Sequence, residues 1–180
     1  MAIVVVEGID RVGKTTFTDR LQSKLGPSRS FVFKHDCSII DYASMDDDNE
    51  TDKMVQLLEM YNQMQSIDAE TTVVIFDRFH VSNAVYGIVE RGYDFKNACE
   101  NFNVVDAMLH RLYAHIVYVK PTSVAKSSAE HGTSLKLHDE LFDMFMASSS
   151  CRKVICDYYS LDAAVDYVLY DGDGDCDVRR

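Results

Sequence analysis

The sequence predicts an α/β fold of three layers, a central parallel sheet flanked by helices. Three observations carry that expectation. Short apolar, β-rich runs recur along the chain, amphipathic helical patterns separate them, and a glycine-containing loop joins the first run to the first helical pattern. Runs that are apolar at successive positions suit strands covered on both faces. Strands alternating with helices imply parallel pairing through crossover connections.

The first strand is expected at Ile3 to Val6, and further strands at Ser30 to Phe33, Thr72 to Phe76, His115 to Val119 and Lys153 to Cys156. Between them, Phe17, Leu21 and Leu25 share one helix face, as do Met54, Leu57, Leu58, Tyr61 and Met64. Leu141, Phe142 and Phe145, with Met144 nearby, mark a later helix. Two stretches lack periodicity and read as loops able to cover a ligand: Ile39 to Asn49, and Lys120 to Thr133 with Pro121, three serines and Gly132. A last helix, Leu161 to Leu169, precedes an acidic tail.

At 180 residues, the chain fits one domain, expected over 1–170, with 171–180 a disordered tail. Hydrophobic residues at 47% and charged residues at 26% are ordinary for a globular protein. A net charge of -11 opposes stable binding of nucleic acid, because that affinity comes from Lys and Arg neutralising phosphates. The five cysteines form no Cys-x-x-Cys pair, so reduced thiols in a cytoplasmic compartment are expected. No run approaches the ~18 apolar residues of a membrane span. Asp171-Gly172-Asp173-Gly174-Asp175 has calcium-loop character but lacks the sixth-position glycine and the twelfth-position glutamate.

Gly8-Ile9-Asp10-Arg11-Val12-Gly13-Lys14-Thr15 fits the pattern G-x-x-x-x-G-K-[ST], directly after a strand and before a helix. This is the context of a phosphate-binding loop and defines the expected three-layer P-loop NTPase fold. Glycines let backbone N–H groups wrap phosphate oxygens, and the helix adds its positive dipole end. ATP would lie on Gly8, Asp10, Val12, Gly13, Lys14, Thr15 and Thr16, with Lys14 on the β- and γ-phosphates and the Thr15 hydroxyl on Mg²⁺. Val73-Val74-Ile75-Phe76-Asp77 is an apolar strand ending in a carboxylate at the ligand-binding end of such sheets, which makes Asp77 a second candidate for Mg²⁺ or substrate.

Two segments together resemble the thymidylate kinase family of deoxynucleoside monophosphate kinases. They are Val6-Glu7-Gly8-Ile9-Asp10-Arg11-Val12-Gly13-Lys14-Thr15-Thr16 and Asp77-Arg78-Phe79-His80-Val81-Ser82-Asn83-Ala84-Val85-Tyr86. The resemblance covers Ile3 to Tyr86 well and later elements in outline; the short chain is similar to phage or viral members. It implies Mg²⁺-dependent transfer from ATP to dTMP, forming dTDP. By the same resemblance Lys14, Arg11, Asp77 and Arg78 are catalytic. Arg11 would be the transition-state cation, Arg78 would hold the acceptor phosphate, and Asp10 would accept from the sugar 3′-hydroxyl.

Where the family has an arginine-glutamate-proline-glycine segment, this chain has Phe33-Lys34-His35-Asp36, so Lys34 is the candidate phosphate ligand there. No arginine lies between Arg29 and Arg78. The lid, expected near 121–137, carries Lys126 and Lys136 in place of arginines, with Arg11 able to compensate. Tyr61, Tyr86 and Phe102 are candidates to border the base, Ser82 and Asn83 to orient sugar or phosphate, and His80 to pack or hydrogen-bond. Two other functions stay open. One is a deoxynucleoside kinase, which needs a base near the 5′-hydroxyl, with Glu7 or Asp36 as candidates. The other is a nucleotide-binding regulator without kinase activity. A homodimer through a hydrophobic helix face is also left open.

Overall fold

Ile3, Val4, Val5 and Val6 lie in β1 (Ala2–Glu7), and no part of them is exposed. Complete burial on both faces is what a central strand of a parallel sheet requires. The other strands are β2 (Ser30–Lys34), β3 (Val73–Asp77), β4 (His115–Val119), β5 (Arg152–Cys156) and β6 (Cys176–Asp177). They form one six-stranded sheet in the order β2-β3-β1-β4-β5-β6, with every pair parallel. The structure, a computed structural model, describes residues 2–26, 29–34, 47–65, 72–122, 132–171 and 176–178.

The helices are α1 (Lys14–Leu25), α2 (Asp47–Gln65), α3 (His80–Tyr86), α4 (Phe95–Arg111), α5 (Gly132–Ser148) and α6 (Leu161–Asp166). Both α3 and α6 continue into wider π-helical turns, Gly87–Arg91 and Tyr167–Asp171. The connection from β1 to β2 runs toward one edge of the sheet, and those linking β2, β3, β4 and β5 run toward the other. Right-handed crossovers therefore put α1 on one face and α2 to α5 on the opposite face. Packing agrees for these helices, α2 lying against α4 and α3 against α4 and α5, whereas α6, between β5 and β6, departs from the rule and packs on α1. Phe17 and Leu21 of α1, Phe102, Val105 and Leu109 of α4, and Phe142 and Phe145 of α5 join the strands in one core.

Three local differences from the sequence reading have physical causes. No helix was expected at Phe95–Arg111, yet Asp94 caps it by accepting from the N–H groups of Lys96 and Asn97, and Ala98, Phe102, Val105 and Leu109 form its buried stripe. Helices α2 and α5 begin inside the two stretches read as loops; residues 35–46 and 123–131, most of those stretches and of the expected lid, lie outside the described residues. Part of the tail expected to be disordered is ordered as β6. There the Val178 N–H donates to the Ile155 carbonyl at 2.9 Å, and the Val178 side chain packs on the core.

Register fixes where a ligand can sit. Val6 pairs with Asp77, Lys34 with Asp77, and Glu7 with Tyr118, so these residues stand level at the carboxyl edge of the sheet. The chain leaves β1 toward β2 but leaves β3 toward β4, which opens a crevice between the two strand ends.

Candidate active site

The loop between β1 and α1 is shaped by backbone conformations that few residues tolerate. Gly8 has φ 139° and Gly13 φ 109°, and Arg11 is left-handed at φ 61°. A Cβ on Gly8 would stand 2.4 Å from the Val119 carbonyl oxygen, and one on Gly13 would stand 3.0 Å from the Tyr158 ring. Positive φ and close approach together dictate glycine at both places. No side chain caps α1, so its first N–H groups face the loop's hollow as an anion site.

Lys14 opens that helix and is only 7% exposed. Its Nζ donates to the Ile9 carbonyl at 2.5 Å, closing the loop on itself. Burial, and next the positive charge of Arg78, pull the ammonium down to about 8, while Asp10, Asp77 and Glu7 act in the opposite direction.

Arg78 follows β3 directly and is held at φ 68°, a left-handed conformation costing roughly 1–2 kcal/mol in a residue with a Cβ. Its surroundings explain how it is kept there. Glu7 is fully buried; its Oε1 accepts from the N–H groups of Phe79 at 3.0 Å and Val81 at 3.2 Å. Its Oε2 accepts from the Ser82 N–H at 3.2 Å and also from the Ser82 hydroxyl. One carboxylate thus holds the open amides at the start of α3 and ties that helix to the residue preceding Gly8. The Arg78 guanidinium pairs with Asp10 across the crevice and lies 5.0 Å from the centre of the Tyr86 ring. Burial pushes the Tyr86 phenol up to about 12 despite Arg78, so it stays neutral beside the cation.

These elements enclose a pocket of about 380 Å³. It brings together eight of the expected site residues: Asp10, Arg11, Gly13, Lys14, Thr15 and Thr16 from the loop, with Asp77 and Arg78 from the end of β3. Gly8 and Val12 shape the loop from behind, Val12 being buried. Ser82 and Tyr86 do not line the pocket; both are buried behind Arg78, where Ser82 bonds to Glu7 and Tyr86 packs 4.9 Å from His138. Lys34 stands in register beside Asp77, but its side chain, like that of Tyr61, and all of Asp36 lie outside the described residues.

Glu7, weighed as a base for a nucleoside acceptor, is fully buried and its carboxylate is taken up by the amides of α3. Phe102 is a core ring, stacked on His80 at 5.0 Å and tilted against Phe145 at 4.9 Å. Asn83 is buried and accepts from Arg91 at 3.1 Å.

One pocket residue escaped the sequence reading. Tyr158 lies in a 3-10 turn, Tyr158–Ser160, after β5 and forms the wall opposite Arg78's strand. The turn is fixed by a capping box: Asp157 accepts from the N–H groups of Tyr159 and Ser160, and the Ser160 hydroxyl accepts from the Asp157 N–H at 2.9 Å. Tyr158 is 49% and Tyr159 71% exposed, the two rings edge to face at 5.9 Å. Asp157 and Ser160 flanking two aromatics after a strand were the available signal.

Fold and loop together define the P-loop class of α/β nucleotide-binding proteins. Among solved structures, the chain is similar to YorR protein from Bacillus subtilis in complex with phosphorylated GDP, at 18% identity and a TM-score of 0.61, covering 94% of each chain. It is also similar to thymidylate kinase from Ehrlichia chaffeensis, at 15% identity and TM-score 0.55, covering 93% of this chain and 98% of that one. Deoxyadenosine kinase from M. mycoides shares the fold at 11% identity and TM-score 0.53, with 94% and 97% covered. At such identities the likeness establishes the P-loop kinase fold. No family model and no curated protein sequence matches the chain.

Proposed function

We propose that the protein is an ATP-dependent phosphotransferase acting on a deoxynucleoside monophosphate, with dTMP as its acceptor. The observation that carries this reading is the convergence of a phosphate loop, Lys14, Arg11 and Arg78 on one pocket, with anion-binding groups on both sides of the crevice. Phosphoryl transfer is mainly a matter of lining up two anions and stabilising the charge that spreads between them. The triphosphate lies on the loop and the α1 N-terminus, where Lys14 leaves the Ile9 carbonyl for its β- and γ-oxygens. Arg78 exchanges Asp10 for the acceptor phosphate, and its planar fork suits that anion. Asp10, once released, is free to accept from the sugar hydroxyl.

Arg11, projecting from the loop between the two, neutralises the transferring group. An oxygen of the acceptor phosphate forms the new P–O bond as the bond to the β–γ bridging oxygen breaks, and ADP leaves. Thr15 and Asp77 line the same pocket and supply a hydroxyl and a carboxylate, a donor set that suits Mg²⁺. When bound, that ion draws charge from the phosphates. The donor base extends toward Tyr158, whose exposed ring offers a stacking face.

A monophosphate oxygen is already ionised at neutral pH and needs no general base, whereas a nucleoside 5′-hydroxyl does. The burial of Glu7 removes one of the two candidate bases that a nucleoside acceptor would need. Release of ADP from ATP and Mg²⁺, followed with each deoxynucleoside monophosphate and with thymidine, tests the proposal. ADP formed with dTMP and not with thymidine is expected. Tight ATP binding without transfer to any acceptor would point to a regulator instead.

A further inference from the structure

Behind the acceptor arginine lies a buried polar cluster that touches neither the loop nor the pocket. Asp106, on α4, has an Oδ1 that accepts from the Ser149 hydroxyl at 2.5 Å and lies 3.2 Å from His80 Nε2; its Oδ2 accepts from the Ser150 N–H at 2.8 Å. His80 is the first residue of α3, and its side chain is wholly buried. Its ring stacks on Phe102 at 5.0 Å and meets the edge of Phe79 at 6.1 Å. With the Asp106 carboxylate as acceptor, His80 Nε2 is the donor, and Nδ1 has no hydrogen-bond partner among the described residues. The imidazole is therefore oriented by its one polar tie to Asp106 together with the packing of Phe102 and Phe79.

Only Phe79 separates His80 from Arg78. The left-handed Arg78 is thus gripped from two directions: by Glu7 through the backbone of Phe79, Val81 and Ser82, and by Asp106 through the His80 side chain. We infer that Asp106, acting through His80, is a positioning residue that sets the angle at which Arg78 meets the acceptor phosphate. The inference rests on the reading of Arg78 as the acceptor's ligand. Asp106 lines no part of the pocket and reaches it through His80 and the turn that carries Arg78, so its loss should act on the acceptor's ligand before the donor's. The donor loop meets this region only at its Arg78 side, where Asp10 and the Gly8 carbonyl bond the guanidinium, while Lys14, Thr15 and Thr16 are carried by α1.

Steady-state kinetics of Asp106→Asn, His80→Phe and the double variant test this. The phenylalanine keeps a ring against Phe102 but has no nitrogen. Each single variant should raise the acceptor KM by about tenfold, the order expected when a binding group is misplaced by a fraction of an ångström. The KM for ATP should stay within about twofold, and the double variant should be no worse than the worse single, because both remove one linkage. A purely structural cluster would lower the active fraction and Tm while leaving both KM values unchanged; that result, or additive effects, overturns the inference. Should Asp106→Asn fail to fold, His80→Phe alone carries the test. A crystal structure of either variant separates this idea from the proposed reaction. Arg78 unmoved against Tyr86 and Asp10 overturns positioning whatever the activity, whereas wild-type protein inert toward every acceptor overturns the reaction only.

Discussion

Lys14 has to be charged to hold phosphates, yet in the free protein burial and Arg78 bring its ammonium down to about 8. Nucleotide phosphates favour the charged form, so binding near pH 8 draws a proton from solution. The sign follows directly: affinity for ATP is flat below about pH 7 and falls about tenfold per unit as pH rises well above 8, since the free lysine must first be protonated. Calorimetric titration with ATP at pH 8, in two buffers of different ionisation enthalpy, should report net proton uptake. Equal heats in both buffers would count against it. The loop residues were legible in the sequence because their chemistry is contiguous: a glycine, a lysine and a threonine at fixed spacing can act only through one local backbone shape. Glu7 and His80 were not legible in the same way. Their partners, Ser82 and Asp106, are brought to them by the sheet and by α4, and no local pattern announces that distance.

At the scale of elements, the turn after β5 is the clearest addition to the site. Asp157 and Ser160 spend their polar groups on each other's backbone, which leaves the Tyr158 ring as the turn's contribution to the pocket. Tyr158→Ala should therefore raise the KM for ATP by about tenfold, the loss of one stacked base being worth roughly 1–3 kcal/mol, while Tyr158→Phe should behave as wild type. An unchanged KM in the alanine variant would remove the ring from the donor site. Strands were readable because apolar runs at the sheet centre admit little else, and β1, β3 and β4 stand where expected. Helix α4 went unread although Asp94, Ala98, Phe102, Val105 and Leu109 carry both its cap and its stripe. Its exposed face includes Phe95 and Val104, which blur the apolar period.

Across the whole molecule, Asp106 joins α3, α4 and the α5–β5 junction, so its ionisation is linked to folding. Burial pushes this carboxyl up, but hydrogen bonds from His80, Ser149 and the Ser150 backbone outweigh burial and hold it at about 2. A depressed value means the stabilisation is complete above the ordinary carboxylate range near pH 4 and is lost as pH falls through about 2. Chemical denaturation from pH 6 to pH 2 should show about 2 kcal/mol of stability lost in that window, and Asp106→Asn should lose it already at pH 6. A variant with the wild-type acid profile would contradict the assignment.

The same whole-molecule arrangement is what makes a kinase reading specific. The register of β1 and β3 sets the phosphate loop against Arg78, and the opposed connections leave a crevice between them. Phosphorus NMR of the pure protein with ATP, Mg²⁺ and dTMP tests that claim most directly. With a monophosphate kinase, dTDP and ADP signals grow together at the expense of dTMP and ATP. A spectrum that stays unchanged, or one in which dTMP appears from thymidine in a parallel sample while dTMP itself is left untouched, would contradict it.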